Sequence, residues 1–109
     1  MYLRDARERA MQIREQFARY EKQTYGRLWS RQEIALGFMG DVGDLMKLIQ
    51  AHEGVRNIPD AKNKIAHELA DCLWSILVLA HLFDVDIEAA FTKTMDELEE
   101  MLKDKLESK

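Results

Sequence analysis

The chain has 109 residues, 47% of them hydrophobic and 33% charged, which suits one globular domain and excludes disordered and fibrous classes. Its 16 basic and 20 acidic residues leave a formal net charge of -4, with no basic run or face of the kind that nucleic-acid binding needs. One proline and five glycines are little punctuation for strands and turns, so the balance favours helix.

The lone cysteine, Cys72, has no partner for an internal disulfide, and a reducing, cytoplasmic setting is expected. The first residues, Met-Tyr-Leu-Arg-Asp-Ala-Arg-Glu-Arg, are too charged for a secretory leader. The longest apolar run, Cys72 to Phe83, contains His81 and is shorter than the roughly 20 residues a membrane helix needs. It reads as a core helix, and no membrane partner is expected.

Four helices are predicted. The first spans about Leu3 to Thr24, with Ala10, Ile13, Phe17 and Tyr20 recurring at helical spacing. Tyr25-Gly26-Arg27-Leu28 ends it. Ser30-Arg31-Gln32-Glu33 has the form of a capping box, with Trp29 and Ile34 at the two positions of a hydrophobic staple. The second helix therefore runs from about Arg31 to His52 on a stripe of Ile34, Phe38, Val42, Leu45 and Ile49, and Gly54 suits its C-terminal cap. Glu53 to Pro59 is a loop, and Asp60 is the expected N-cap of a third helix reaching about Phe83. Its stripe is Ile65, Leu69, Cys72, Leu73, Ile76, Ala80 and Phe83. Asp86 caps the fourth helix, Ile87 to about Leu106, which carries Ala90, Phe91, Met95, Leu98 and Leu102.

Trp74, Leu77, Val78 and Leu79 make the third helix apolar almost all round, and such a helix is buried on more than one side. Four helices of this length offer it limited cover. The expected architecture is a single all-α domain, a four-helix antiparallel bundle completed by oligomerisation as a homodimer or homotetramer, with Trp74 in a subunit interface.

Two carboxylate pairs carry the chemistry. Asp41 and Asp44 lie on the second helix and Glu68 and Asp71 on the third, each pair spaced i, i+3 and so sharing one helix face. At about 100° per residue, each pair occupies the same-handed flank of its helix's apolar stripe. If the stripes pack together, four carboxylates converge at the rim of the core, where they repel unless protonated or bridged by cations. Oxygen ligands point to Mg²⁺ or Mn²⁺ rather than zinc. Phe38, one turn before Asp41, is a candidate for the pocket, and Lys47, Lys64 and His52 are candidates to approach a substrate. Trp29 and Trp74 could stack on a base, but packing is the expected role of both. His67 and His81 read as packed or surface residues and Cys72 as a small hydrophobe.

Gly40-Asp41-Val42-Gly43-Asp44-Leu45 resembles the Glu-Glu-Val-Gly-Glu-Leu signature of MazG-like nucleotide pyrophosphohydrolases. His67-Glu68-Leu69-Ala70-Asp71 is similar to that family's Glu-x-x-Asp helix, and Val85 to Phe91 resembles the turn opening its next helix. The resemblance covers about residues 28 to 95 and implies that Asp41, Asp44, Glu68 and Asp71 bind Mg²⁺. It also implies hydrolysis of a nucleoside triphosphate to a monophosphate and pyrophosphate in a nucleotide-pool house-cleaning role. The attacking water would be activated near the metals, with Asp44 or Glu68 as the catalytic group taking its proton. Lys93 matches a family lysine that faces the phosphates.

The chain departs from the pattern in three places. Both second-helix ligands are Asp where the family usually has Glu, the first motif position is Gly40, as in dCTP pyrophosphatase-like members, and the run Glu97-Leu98-Glu99-Glu100 replaces an Asn and an Arg. These departures support an alternative, a catalytically impaired helical module of the same fold that binds a nucleotide or a protein. A phosphoribosyl-ATP type pyrophosphatase shares the scaffold but matches these motifs less well.

Overall fold

A computed structural model describes residues 2–108. They form α1 (Leu3–Tyr25), α2 (Arg31–His52), α3 (Ala61–Leu82) and α4 (Ile87–Glu107), with no strand among the described residues. The all-α, four-helix expectation holds.

Local chemistry sets the helix ends. At the start of α2, Glu33 N–H donates to Ser30 Oγ at 3.2 Å and Ser30 N–H donates to Glu33 Oε1 at 3.0 Å. This is the expected capping box. Arg27 adds a bidentate clamp on the same carboxylate at 2.7 and 2.9 Å. The Arg27 bonds and then the Ser30 N–H hold the Glu33 carboxyl down at about 2. Ser30→Ala is expected to cost about 1 kcal/mol, visible as a lower urea midpoint with an unchanged slope.

The C-termini of α2 and α3 close alike. Gly54, at φ +85°, donates to Ala51 O, and Val55 donates to Gln50 O. Asp84, at φ +57°, donates to His81 O, and Val85 donates to Ala80 O. Both are Schellman motifs, which satisfy carbonyls a helix end would otherwise leave open. Asp86 caps α4 as expected, accepting from Ala89 N–H at 3.1 Å. Asp60 does not cap α3. Its backbone is left-handed, φ +57°, whereas a side-chain cap needs an extended residue, and its carboxylate accepts from Asn63 Nδ2 at 2.8 Å instead.

α2 and α3, joined by a short loop, pack along each other in antiparallel fashion, and α1 packs against another side of α3. Arg31, at the start of α2, stacks 4.6 Å over the Phe83 ring just past the end of α3. The buried centre comprises Ala10, Ile34, Leu77 and Val78. Trp74, expected at a subunit interface, is used within the chain. Its Nε1–H donates to Ala10 O at 3.1 Å, and its ring tilts against Phe17 at a centroid distance of 5.7 Å. A second tie was not legible in the sequence: Arg14 and Glu21, 8% and 2% exposed, pair at 2.6 and 3.1 Å, and Glu21 also accepts from Trp29 N–H at 2.9 Å.

Two expected stripes are rotated. Val42 and Ile49 on α2, and Leu69, Leu73 and Ile76 on α3, are exposed. Leu48 is buried where Ile49 was expected, Ser75 and Val78 are buried on α3, and Asp41 and Glu68 are half-buried. α3 must serve α2 and α1 at once, so its contact faces turn away from its most apolar flank. That turn brings the carboxylates from the rim into the seam.

α4 stands apart. It has no buried residue, and its first residue, Ile87, packs at the edge of the core.

Candidate metal centre

The antiparallel pairing of α2 and α3 sets Asp41 and Asp44 against Glu68. Carboxylate oxygens of these three lie within 4.8 Å of one another, and Glu68, Asp71 and His67 form a second such group. Glu68 is common to both. His67 Nε2 lies 3.1 Å from Asp71 Oδ2, one helical turn away, a pairing readable from the i, i+4 spacing but not foreseen as part of the site. All four expected ligands are thus gathered in one place.

Electrostatics at the cluster are unfavourable without a cation. Burial, then the charges of Asp71 and Asp44, push the Asp41 carboxyl up. Burial, then Asp71, Asp41 and Asp44, push the Glu68 carboxyl up. Glu68 Oε2 is also buried with no hydrogen-bond partner, and such an atom needs a proton or a cation to offset its lost hydration. A divalent cation with a preference for oxygen fits this donor set, and Mg²⁺ or Mn²⁺ fits better than zinc. Cys72, also near these carboxylates, is buried and its thiol is pushed up by that burial. It is a packed hydrophobe, as expected.

Two cavities meet at the cluster. One, about 460 Å³, opens between the C-terminal half of α2 and the N-terminal half of α3, and Asp44 and Glu68 share its wall with Lys47, Lys64, His67 and Asn63. The other, about 320 Å³, lies among α1, α2 and α3, where Asp41 adjoins Phe17, Trp29, Trp74 and the Arg14–Glu21 pair. A cavity carrying two lysines among three carboxylates (Asp44, Asp60 and Glu68) and a cavity carrying three aromatic rings therefore adjoin one carboxylate cluster. α1 supplied no site candidate from sequence, because its contribution depends on where it packs.

The other expected substrate residues are placed as follows. Lys47 and Lys64 face the first cavity. Phe38 is half-buried one turn before Asp41. His52 is exposed at the end of α2, 3.8 Å from Glu53. Lys93 lies on α4 beside Glu97 at 4.0 Å, in a shallow depression lined by α4 and the turn before it, and the fold does not bring it to the carboxylates of its own chain.

α3 is the one helix among the described residues that is long and apolar enough to cross a membrane. Leu77, Val78 and Ala80 of this helix are buried against its neighbours, whereas Leu69, Leu73 and Ile76 are exposed.

No curated protein and no solved structure matches the chain. The family model for the MazG nucleotide pyrophosphohydrolase domain matches residues 30–104, which takes in all four carboxylates and excludes α1. The order of the carboxylate motifs, their convergence in the fold and this match over more than half its length place the chain in the MazG nucleotide pyrophosphohydrolase domain family.

Proposed function

We propose that the protein hydrolyses nucleoside triphosphates, deoxynucleotides among them, between the α and β phosphates with Mg²⁺ or Mn²⁺, releasing a monophosphate and pyrophosphate. The observation that carries this reading is the unpartnered Glu68 Oε2 in a four-carboxylate cluster beside one cavity that holds Lys47 and Lys64 and one that holds three aromatic rings.

That arrangement orients a nucleotide. Lys47 and Lys64 attract the β and γ phosphates into the first cavity, where Asn63 adds an amide donor. Trp29, Trp74 and Phe17 offer aromatic faces to a base in the second. Such a pose would set the α phosphorus over the carboxylates, and this supports the proposed cleavage of the α–β bond. Asp41, Asp44, Glu68 and Asp71 would hold a divalent cation, which would supply Lewis-acid polarisation and neutralise phosphate charge. Asp44, exposed to the cleft, or Glu68 accepts the proton of the attacking water. The free, buried thiol of Cys72 suits a reducing cytoplasmic compartment, and the role proposed for the activity is control of the nucleotide pool.

The test is to incubate the protein with each common NTP and dNTP, with Mg²⁺ or EDTA, and to quantify pyrophosphate, orthophosphate and monophosphate. Metal-dependent pyrophosphate with matching monophosphate is expected. Orthophosphate alone would mean another bond is cut, and no product from any nucleotide would favour a binding module. Trp29→Ala separates base binding from chemistry: KM is expected to rise roughly tenfold or more, as loss of one base–aromatic stack does, with kcat little changed.

A further inference from the structure

The buried pair Arg14 and Glu21 lines the cavity that Phe17, Trp29 and Trp74 share with Asp41. Replacing such a pair by apolar residues of similar volume is often neutral for stability, so its place in this wall is better explained by what Glu21 holds. Arg14 donates to both Glu21 oxygens, at 2.6 and 3.1 Å, and Trp29 N–H donates to Oε1 at 2.9 Å.

The two tryptophans of the cavity are fixed in different ways. Trp74 is anchored through its own ring, by the Nε1–H bond to Ala10 O and by Phe17. Trp29 is 44% exposed, so packing constrains its ring less, and its backbone has to set where the ring enters the cavity. It stands in the turn between α1 and α2. Arg27 and Ser30, on either side of it, are bound to Glu33 of α2, whereas Trp29 N–H reaches back to Glu21 of α1. A bond from N–H to an ionised carboxylate is roughly twice as strong as a neutral one, and a bidentate arginine fixes the carboxylate's orientation.

We propose that Glu21 is a positioning residue for the substrate: resting on the proposed function, it fixes Trp29 against the base, and Arg14 in turn fixes Glu21. Glu21 and Trp29 both precede residue 30, where the family match begins, so that match assigns a role to neither. The effect of Glu21 passes through Trp29 and falls on base binding, not on bond cleavage.

Two double variants remove the buried charges and differ in one acceptor. Arg14→Met with Glu21→Gln keeps a carbonyl for Trp29 N–H, and Arg14→Met with Glu21→Leu does not. Kinetics with the four dNTPs and Mg²⁺, below each variant's thermal midpoint, are expected to leave KM near wild type in the first. In the second, KM should rise toward the roughly tenfold change of Trp29→Ala, with kcat little changed in both. In a Trp29→Ala background the two pairs should share one KM, because the acceptor then has no ring to place. Acrylamide quenching reads the ring without nucleotide. With Trp74→Phe leaving Trp29 as the one tryptophan, quenching should be stronger in the leucine pair than in the glutamine pair. Equal KM and equal quenching across the two pairs would overturn the proposal, as would a KM difference that persists without the Trp29 ring. A wild type that releases no pyrophosphate would remove the proposed function by itself, and the quenching would still decide whether Glu21 holds Trp29.

Discussion

Glu68→Gln is expected to lower Mg²⁺-dependent pyrophosphate release on the order of 10²–10³-fold while making the metal-free protein more stable. The two effects have opposite sign because, on the proposed function, Glu68 serves a cation and not the fold. Its Oε2 is buried without a partner, and burial together with the charges of Asp71, Asp41 and Asp44 pushes its carboxyl up. A carboxyl raised in the folded state binds its proton more tightly there than in the unfolded chain. Metal-free stability is therefore greatest below the ordinary carboxylate range and falls as pH rises through the raised value. Glutamine keeps the shape, removes the charge and should flatten that fall. Mg²⁺ should produce the same relief in the wild type, about 2.7 kcal/mol at 100 times its dissociation constant, and little in the variant. Turnover and thermal midpoints in EDTA and in Mg²⁺, across pH, measure all of this. Unchanged turnover, or a variant less stable in EDTA, would refute the role given to Glu68.

Glu21→Gln is expected to be the most damaging single change to the fold. Removing one partner of a buried ion pair costs about 3 kcal/mol or more, which for a chain of this size lowers Tm by roughly 10–20 °C. Arg14 would keep its buried charge with no carboxylate to face, and Trp29 N–H would lose its charged acceptor. Burial by itself would raise the Glu21 carboxyl, but the Arg14 bonds and the Trp29 N–H outweigh it and the net shift is downward. The pair therefore stabilises the fold above the ordinary carboxylate range and loses its effect as pH falls through the lowered value. Thermal midpoints against pH should show the wild type losing this increment on acidification and the variant lacking it throughout. Replacing both partners with apolar residues of similar volume should restore most of the loss, which separates an unpaired charge from simple misfolding.

Helix identity and boundaries were legible in residue order because they depend on neighbours along the chain. The Ser30–Glu33 box, Gly54 and Asp86 act over three or four residues, through backbone hydrogen bonds that a sequence states directly. Asp60 escaped because its left-handed backbone is set by the loop it ends and not by its own preference. The carboxylate pairs were legible for a related reason: i, i+3 spacing puts two side chains on one face wherever the helix goes, and one such pair on each of two successive helices suggested convergence.

The tertiary structure decided which faces meet. Helical periodicity ranks apolar flanks but does not name their partners, so Val42, Ile49, Leu69 and Leu73 read as core while the folded chain leaves them outside. α3 has to satisfy α1 and α2 together, and that compromise turns Asp41 and Glu68 into the seam. The Arg14–Glu21 tie, the aromatic cavity and the role of Trp74 within the chain all rest on where α1 lands, a long-range outcome that no local pattern in α1 encodes. The sequence by itself determined four helices, their ends and the identity of four candidate ligands, because each is a matter of spacing. Only the tertiary structure decided that those ligands adjoin a cavity holding two lysines and a cavity of aromatic rings, and that an apolar face stays exposed, because both follow from packing between segments distant in the chain.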